Sequence, residues 1–332
     1  MERNPELKHA LYKQMKEYQL KGYTHRATED ELASADVRRV WYLPLGTVVN
    51  PRKPGKVRMI WDAKAAVNGI SLNSLLLKGP DQLTSLPGVL TRFRQFNVGV
   101  TADIKEMFHQ IYIRKEDRHS QRFLWREDPF DTPGVFIMNV ATFGSTCSPA
   151  SAQFIKNKNA ESFIDIYPRA VEGIKQNHYV DDSLESYESI EEAIKVSNEI
   201  RLIHSHGGFE LRNWLSNREE VLNGLGETQL QQNKKFEVDK PYGYERVLGL
   251  LWLVQEDAFG FSTVMKQEIN DLIHSNERPT KRQMLKCLMS LFDPLGLLSC
   301  FVVQGKVLLQ EVWRAGIQWD DRVSNDQHSV VS

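Results

Sequence analysis

The sequence predicts an α+β fold with a split β-α-β arrangement, in which helices cover one face of a largely antiparallel sheet. Segments in the middle of the chain follow the order strand, helix, hairpin, helix, strand, which is the order of that motif. Apolar residues make up 41% and charged residues 26% of the 332 positions. This composition is typical of a globular chain with a sizeable core, and the length indicates roughly two domains or one long mixed domain.

Residues 1–35 are predicted to be helical, because apolar residues recur there at helical spacing among lysines and glutamates. These apolar positions are Leu7, Leu11, Met15 and Tyr18. Gly22 is suited to end the helix. Strands are expected at 41–49 and 56–62, on either side of a turn rich in proline and glycine. Basic and apolar residues alternate along the second strand, which predicts a hairpin with one basic face.

A buried strand is predicted at Val98–Ile104, where an apolar run ends in Asp103. Short strands are expected to follow at 111–113, 122–125 and 134–140. These segments place a carboxylate at the end of the first strand of the split β-α-β unit.

Ser148 and Pro149 predict a helix start, with the hydroxyl as the cap and the proline at the first helical position. This helix should run to about Ile164. A hairpin is predicted at 174–187, with Asp181 and Asp182 at its tip.

The remaining elements continue the same pattern. Ser189 and Glu192 predict a capping box at the start of a helix that Gly207 and Gly208 would end. Strands are then expected at 209–211 and 246–252, and helices over 280–315 with a break at Asp293–Gly296.

Composition excludes several classes of protein. No apolar run approaches the roughly 20 residues of a membrane helix, and Met1–Pro5 contain no apolar signal core, so secretion is not expected. The three widely spaced cysteines indicate neither a disulfide framework nor a Cys-rich zinc site, and they fit a reducing compartment. The net charge is −1, although residues 1–60 carry +5. Charge alone favours a solvated basic face over a nucleic-acid surface there.

Asp103 and the pair Asp181-Asp182 form the one pattern that points to chemistry. Asp-Asp alone is a good turn former, and a strand often ends in aspartate. In a split β-α-β sheet, however, the first strand and the later hairpin are neighbours, so these acidic ends would converge. Crowded carboxylates raise one another's pKa unless cations lie between them. Oxygen ligands suit Mg²⁺, and two such ions are the usual means of in-line phosphoryl transfer.

Four motifs, in family order, resemble those of reverse transcriptases. Tyr179-Val180-Asp181-Asp182 resembles their Y-x-D-D box, and Ala102–Ile111 resembles their first acidic motif. Phe143–Pro149 is similar to the motif whose glycine and proline frame the nucleotide pocket. Lys56–Asp62 is similar to the fingers motif.

Other short sequence segments are most similar to those of the Bel/Pao class of long-terminal-repeat retrotransposons. These segments are Leu43-Pro44, Asn50–Arg58 and Phe209–Trp214. The resemblance covers roughly residues 5–320. It implies a right-hand polymerase fold whose palm is the split β-α-β antiparallel sheet.

The resemblance also implies a division into four regions. An N-terminal helical extension is expected at 1–40 and fingers at 41–97. The palm would span 98–250, with part of the fingers inserted at 111–142. The thumb and the start of a connection domain would occupy 251–332.

The implied activity is that of an RNA-directed DNA polymerase, which extends a primer by two-metal nucleotidyl transfer. Two Mg²⁺ ions are the implied cofactors, with Mn²⁺ as the alternative. The implied partners are an RNA or DNA template with its primer and deoxynucleoside triphosphates, and no membrane. The family implies a cytoplasmic location in a virus-like particle, and the RNase H and integrase parts of the Pol polyprotein are expected to lie outside this chain.

Catalytic and metal-binding roles carry over position by position. Asp103, Asp181 and Asp182 match the catalytic carboxylates, of which Asp103 and Asp181 would be the main metal ligands. The backbone carbonyl of Ile104 would complete the shell of the second metal.

Binding roles carry over in the same way. The resemblance assigns Arg58 and one of Lys56 or Lys53 to the triphosphate, an anion that arginine binds through paired donors. Phe143 and Gly144 would line the nucleotide pocket. Phe108 matches the steric gate that excludes a ribose 2′-hydroxyl, and its alternative is a core aromatic. Tyr179 and Val180 would touch the primer end, and Gly249 would lie in the strand that grips the primer.

The sequence departs from the family at Arg212-Asn213, where related sequences usually carry a lysine that supplies a proton to the leaving pyrophosphate. An arginine is a poor proton donor at neutral pH. Either Arg212 acts electrostatically or the proton comes from water.

Two alternative functions remain open on the sequence. The chain could be a domesticated or degenerate copy that binds template and primer without polymerising. Residues 270–320 also resemble a segment known in this family as a Pao-type peptidase. An aspartic protease needs paired carboxylates, whereas Asp293–Gly296 lies between predicted helices and lacks a small hydroxyl residue after the acid. The segment is therefore interpreted as thumb.

Overall fold

The computed structural model describes residues 5–49, 57–126, 130–227, 244–261, 267–274 and 277–324. The helices are α1 (Pro5–Leu20), α2 (Glu29–Ser34), α3 (Leu72–Leu75), α4 (Leu86–Phe93), α5 (Ser148–Glu161), α6 (Pro168–Gln176), α7 (Ile190–His206), α8 (Glu219–Gly224), α9 (Gln267–Ile273), α10 (Lys281–Leu288) and α11 (Ser299–Arg314). The strands are β1 (Thr24–Arg26), β2 (Leu45–Val49), β3 (Val57–Trp61), β4 (Val98–Ile104), β5 (Arg122–Trp125), β6 (Gly134–Met138), β7 (His178–Tyr179), β8 (Asp182–Tyr187), β9 (Leu211–Ser216), β10 (Tyr244–Val247), β11 (Leu250–Leu253) and β12 (Ala258–Gly260). Short 3-10 helices lie at Val37–Arg39, Met107–Gln110 and Lys115–Gln121.

The central sheet has four strands in the order β7-β8-β4-β9. The chain passes through α5 and α6 before it enters the antiparallel β7–β8 hairpin, and α7 connects β8 to β9. This order confirms the predicted split β-α-β arrangement. Smaller antiparallel sheets have the orders β1-β6-β5, β2-β3 and β10-β11-β12.

The described residues fall into two compact units. The first draws on residues 1–84, 102–183 and 195–213, and the second on residues 85–101, 184–194 and 214–332. None of the described helices has the length and apolar character that crossing a membrane requires.

In the first unit, the apolar face of α1 packs into the core that β3, β5 and β6 form. Leu11, Met15 and Tyr18 are the buried residues of this helix. The ring of Tyr18 stacks on that of Trp61 with a centroid separation of 6.0 Å, and Trp61 contacts Phe123 edge-on at 5.7 Å. Burial of each such large side chain stabilises the fold by roughly 1.5–3 kcal/mol, so α1 is an integral part of this core.

In the second unit, α4 packs against β11. The ring of Phe93 meets that of Trp252 edge-on at 4.9 Å. The indole N–H of Trp252 donates to Asp257 at 3.0 Å, and Asp257 also pairs with Arg94. A Cβ at Gly99 would lie 2.9 Å from the ring of Trp252, so the close approach of β4 to this tryptophan requires glycine.

Residues 1–35 do not form one helix, so this prediction was wrong in its extent. Helix α1 ends at Leu20, and Gly22 turns the chain with a φ of 72°, as predicted. Strand β1 then pairs with β6, and α2 starts independently because Thr28 and Glu31 form a capping box. The pairing of β1 with a strand distant in sequence leaves no local pattern that helical spacing could reveal.

Several other boundaries differ from the prediction. Residues 41–44 and 111–113 form only isolated bridges, through Tyr42 and Tyr112. Helix α5 ends at Glu161, and the residue that caps its start is Cys147. The Ser148 hydroxyl instead donates to the Thr142 carbonyl at 2.9 Å, so it ties the helix to the preceding loop. Residues 174–176, predicted to begin the hairpin, belong to α6.

Residues 246–252 are a hairpin and not the single strand that was predicted. Val247 of β10 pairs with Leu250 of β11, and Leu248 and Gly249 form the two-residue turn between them. Their φ angles are 48° and 95°, and positive φ at both positions is typical of a type I′ turn. Gly249 therefore marks a turn in the second unit.

Three basic side chains are buried together in the first unit, on α5, β7 and α7. Lys156 donates from Nζ to the Ile174 carbonyl at 2.9 Å. The rings of His178 and His204 stack with centroids 5.0 Å apart. Burial lowers the pKa of Lys156 to about 7 and that of His204 to about 3, and it also holds the pKa of His178 well below its usual range. Both imidazoles are therefore neutral at pH 7, where Lys156 is close to losing its proton.

This burial predicts how stability depends on pH. Between about pH 7 and about pH 10.5 the unfolded chain holds a proton on Lys156 that the folded chain lacks, so the contribution of Lys156 to stability rises with pH. The slope of one such group is about 1.4 kcal/mol per pH unit. Lys156→Met should remove this contribution and raise stability at pH 7, as measured by urea unfolding at several values from pH 7 to pH 9.5.

Lys158→Met is the matched control, because Lys158 is an exposed lysine of the same helix. It should keep the wild-type slope. Equal slopes for Lys156→Met and the wild type would show that Lys156 keeps its proton in the folded chain.

Candidate active site

The end of β4 is bonded directly to the loop of the β7–β8 hairpin. The backbone N–H of Ile104 donates to the carbonyl of Asp181 at 2.7 Å. Val180 adopts a φ of 57° in this loop, which is rare for a β-branched residue. From α5, Gln153 Nε2 donates to the Val180 carbonyl at 3.1 Å. These bonds bring Asp103, next to Ile104, and the acidic pair onto joined segments, as the sequence predicted.

The three carboxylates affect one another's ionisation. Burial and then the charges of Asp181 and Asp103 raise the pKa of Asp182 to about 7. Burial, with a contribution from Asp103, also raises the pKa of Asp181, while the cations Arg212 and Arg58 act in the opposite direction. Burial is thus the largest cause of both upward shifts, and the neighbouring carboxylates add to it.

Asp103 is held by two residues that follow the start of β9. Asn213 Nδ2 donates to Asp103 Oδ1 at 2.6 Å, and Arg212 donates to Oδ2 from Nε and Nη2 at 3.3 Å each. Asn213 has a φ of 54°, a conformation that asparagine adopts more readily than most residues. This ion pair occupies the Arg212 guanidinium, and the source of the proton for the leaving pyrophosphate stays a prediction.

The donor chemistry of the site fits a divalent cation. The side chains of Asp181 and Asp182 accept no side-chain hydrogen bond within the part of the chain that the structure describes, and carboxylate oxygens are the donors that Mg²⁺ prefers. Among those same residues, however, no three acidic, histidine or cysteine side chains converge on one point. A bound ion would require Asp103 to exchange Arg212 and Asn213 for the ion.

Phe108 and Phe143 lie together, as their predicted roles require. Their rings meet edge-on with centroids 4.9 Å apart. Phe108 is half-buried and Phe143 is 42% exposed, so this pair forms part of a surface. The alternative prediction, that Phe108 is a core aromatic, does not match this exposure.

Gly144 adopts a φ of 102°, and a Cβ there would lie 2.8 Å from the carbonyl oxygen of Trp61. The close approach of this loop to β3 therefore depends on glycine. Asn73 clamps the same loop, because its Nδ2 donates to the Gly144 carbonyl at 2.9 Å and its Oδ1 accepts from the Thr146 N–H at 2.8 Å.

Of the three basic residues that were predicted to bind the triphosphate, the structure describes one. Arg58 is exposed on β3, opposite Val48 of β2, and its charge lowers the pKa of Asp181. Lys53 and Lys56 lie outside the described residues. The structure thus brings Arg58 into electrostatic range of the carboxylates.

The predicted primer-contacting residues belong to different units. Tyr179 and Val180 are half-buried in the hairpin of the first unit. Gly249 occupies its turn in the second unit. Their contacts with a primer stay predictions.

Sequence reasoning missed two residues that shape the site, Asn73 and Gln153. Both act through side-chain amides that bond to backbone groups of a distant loop. The one available signal was position, since Gln153 lies one helical turn after Pro149, on the helix that follows the nucleotide-pocket motif. Asn73 carries no such signal.

The sequence matches two family models. Residues 50–214 match the family described as reverse transcriptase (RNA-dependent DNA polymerase). Residues 280–332 match the Pao retrotransposon-like RNaseH-like domain. The description of this second segment is therefore RNaseH-like, in place of the peptidase that the sequence resemblance named. No curated protein matches the chain.

The fold is similar to that of foamy viral protease-reverse transcriptases. The dRH form in complex with double-stranded DNA matches with a TM-score of 0.61 and 16% identity, over 99% of this chain and 47% of that one. A second complex with double-stranded DNA gives a TM-score of 0.60 and 17% identity, over 98% of this chain and 55% of that one. A complex with an RNA/DNA hybrid gives 0.58 and 15%, over 98% and 36%. This chain thus has the right-hand polymerase fold and spans 36–55% of the length of these three structures.

Proposed function

This chain carries the reverse transcriptase domain of a Bel/Pao-type retrotransposon, and we propose that it extends a primer along a nucleic acid template by adding deoxynucleotides. The observation that carries this proposal is the bond between the Ile104 N–H and the Asp181 carbonyl. It joins the strand that bears Asp103 to the hairpin that bears Asp181 and Asp182. All of these residues lie within the segment that matches the reverse transcriptase family.

The proposed cofactor is a pair of Mg²⁺ ions, with Mn²⁺ as the alternative. Asp103, Asp181, Asp182 and the Ile104 carbonyl would hold them. The chemistry that such ions supply is activation of the primer hydroxyl and stabilisation of the leaving oxygen. The raised pKa values of Asp181 and Asp182 support this assignment, because a bound cation would relieve the repulsion between the carboxylates.

The protein's own groups contribute position and charge. Gln153 holds the hairpin loop through the Val180 carbonyl, which keeps Asp181 beside the end of β4. Arg212 remains a cation at neutral pH. Once released from Asp103, it would stabilise negative charge on the departing pyrophosphate without transferring a proton to it.

Nucleotide selection would involve the surface that Phe108 and Phe143 form. The rings meet edge-on, and one aromatic face would pack against a deoxyribose and exclude a 2′-hydroxyl. Arg58, which is exposed on β3, would bind phosphate oxygens. The proposed partners are accordingly a template with its primer and deoxynucleoside triphosphates, and the proposed location is a cytoplasmic particle.

One observation supports a second candidate, a copy that binds template and primer without polymerising. Both carboxylate oxygens of Asp103 are engaged by Arg212 and Asn213. If this arrangement were permanent, Asp103 could not bind a metal ion. A primer-extension assay with purified protein and Mg²⁺ separates the two candidates.

We expect catalysis to depend on Asp181. Asp181→Asn should reduce primer extension by roughly two to three orders of magnitude, the usual effect of losing a key electrostatic group. Template–primer affinity should stay within about twofold, because phosphate contacts dominate affinity. The melting temperature should be unchanged or higher, since the variant relieves repulsion among the carboxylates. Asp165→Asn, which removes an exposed carboxylate elsewhere, should extend primers normally.

Extension by Asp181→Asn at the wild-type rate with Mg²⁺ would contradict the assignment of the carboxylates. Loss of extension together with loss of affinity would point to a binding role instead.

We expect Phe108 to select the sugar. Phe108→Val should raise the incorporation of CTP relative to dCTP, because this selection rests on a clash that truncation removes. Since Phe108 is only half-buried, the loss of stability should be smaller than the roughly 3–5 kcal/mol of a buried Phe→Ala change. Steady-state incorporation of the two nucleotides, measured beside a thermal melt, tests both statements.

Phe154→Val is the control, because Phe154 is 56% exposed on α5. It should leave the sugar ratio unchanged. A lowered melting temperature with an unchanged ratio for Phe108→Val would assign Phe108 to packing alone.

Binding of template and primer should be mainly electrostatic despite the net charge of −1. Residues 1–60 carry a net charge of +5, and this part of the chain includes the β2–β3 hairpin with Arg58. The logarithm of the affinity should fall steeply and linearly with the logarithm of the salt concentration, with a slope that reflects several phosphates. An affinity that is insensitive to salt would show that the duplex is not bound along its phosphates.

A further inference from the structure

The segment between Asp103 and Phe108 turns sharply at Glu106. This residue has a φ of 49° and a ψ of 41°, a left-handed conformation that glycine adopts freely and other residues adopt with strain. The 3-10 helix Met107–Gln110, which carries Phe108, begins directly after it. The backbone at Glu106 therefore sets the direction in which the proposed gate leaves the catalytic strand.

Two residues of the N-terminal segment hold Glu106 in this conformation. Lys21 Nζ lies 2.8 Å and 2.9 Å from its two carboxylate oxygens, and the Tyr23 hydroxyl donates to Oε2 at 2.9 Å. The same hydroxyl accepts from Gln110 Nε2 at 2.9 Å. Both ends of the turn that carries Phe108 are thus tied to residues 21–23.

A chain of aromatic rings provides a second link. His109, 2% exposed, packs against Tyr18 and Tyr23, with ring centroids 5.0 Å and 5.2 Å away. His109 also meets Phe143 edge-on at 5.4 Å, and Phe143 meets Phe108. The N-terminal segment therefore contacts His109, which packs against the aromatic pair of Phe108 and Phe143, in addition to its bonds to Glu106.

We propose that Lys21 and Tyr23 are positioning residues for nucleotide selection, because they fix the left-handed turn at Glu106 and thereby the placement of Phe108. This inference rests on the proposed polymerase function and on the gate role of Phe108. It gives the N-terminal segment a part in sugar discrimination that neither its composition nor its helical pattern indicates.

The ion pair between Lys21 and Glu106 also neutralises the charge of the Glu106 carboxylate. Glu106 adds a carboxylate three positions after Asp103, on the segment that leads to the proposed gate. With Lys21 in place this charge is matched, and without it the carboxylate would repel the phosphates. Loss of Lys21 should therefore weaken nucleotide binding and loosen the gate together.

The test measures KM and kcat for dCTP and CTP with the full chain, in Mg²⁺, for four variants. Lys21→Met should raise KM for dCTP roughly tenfold, with kcat within about twofold, since small misplacement of a positioned group costs up to about 10²-fold. The preference for dCTP over CTP should fall by a similar factor. Tyr23→Phe, which keeps the ring against His109 and removes only the hydroxyl, should show a smaller change in the same direction.

Lys21→Arg and Lys16→Met are the controls. Lys21→Arg keeps the cation and should restore values near those of the wild type. Lys16→Met removes a positive charge from the exposed face of α1, five residues before Lys21, and should leave KM and the sugar preference unchanged.

Each possible result decides the question, because the wild type must first extend primers in this assay. An active wild type with unchanged KM and sugar preference in Lys21→Met would overturn the positioning role while leaving the proposed function intact. A fall in melting temperature and kcat without a change in KM would show a purely structural role. An equal effect of Lys16→Met would show that only the overall charge of α1 matters.

Discussion

The hydrogen bond from the Ile104 N–H to the Asp181 carbonyl is the contact on which the rest of the site depends. Asp103 and the pair Asp181-Asp182 are far apart in sequence, and each lies on a segment that ends or turns at this point. Strands β4 and β8 are also hydrogen-bonded neighbours in the central sheet, and this bond adds a link at the end of the sheet that carries the carboxylates. Burial, together with the charges of Asp181 and Asp103, raises the pKa of Asp182 to about 7, and a bound cation would favour its ionised form.

Left-handed backbone conformations surround this contact. Val180, Glu106 and Asn213 have φ angles of 57°, 49° and 54°, and Gly144 has one of 102°. Glycine adopts such angles without strain and asparagine more readily than most residues, whereas Val180 and Glu106 adopt them with strain. Strained backbone persists where surrounding contacts over-determine it, and it concentrates at functional sites. Here the contacts are specific: Gln153 bonds to the Val180 carbonyl, and the Asn213 side chain bonds to Asp103.

The sequence predicted the split β-α-β sheet, because it follows from local patterns whose order along the chain is diagnostic. It also predicted that the segments of Asp103 and Asp181 are neighbours, whereas the convergence of the three carboxylates on a metal ion stays a prediction. The same approach could not predict the strand pairing of β1 with β6 or the turn at Leu248-Gly249. In the first case the partner is distant in sequence. In the hairpin of β10 and β11, a single apolar run contains both strands, and the sequence does not distinguish the turn glycine from a glycine within one strand. The clamps formed by Asn73 and Gln153 were missed for a related reason, since a side-chain amide bonded to a backbone carbonyl leaves no periodicity.

The charges of the site give a physical reason for an arginine, Arg212, in place of the expected lysine. Arg212 and Arg58 lower the pKa of Asp181, whereas burial and Asp103 raise it, and the result is still an upward shift. Burial is the largest of these contributions, so the two cations offset only part of the upward shift of the Asp181 pKa. A guanidinium keeps its proton at neutral pH, so Arg212 can pair with Asp103 whenever no metal ion is bound. The bonds of Arg212 to Asp103 are long, at 3.3 Å, and a divalent ion attracts a carboxylate more strongly than a guanidinium does. Arg212 is therefore suited to neutralise Asp103 without preventing a metal ion from replacing it.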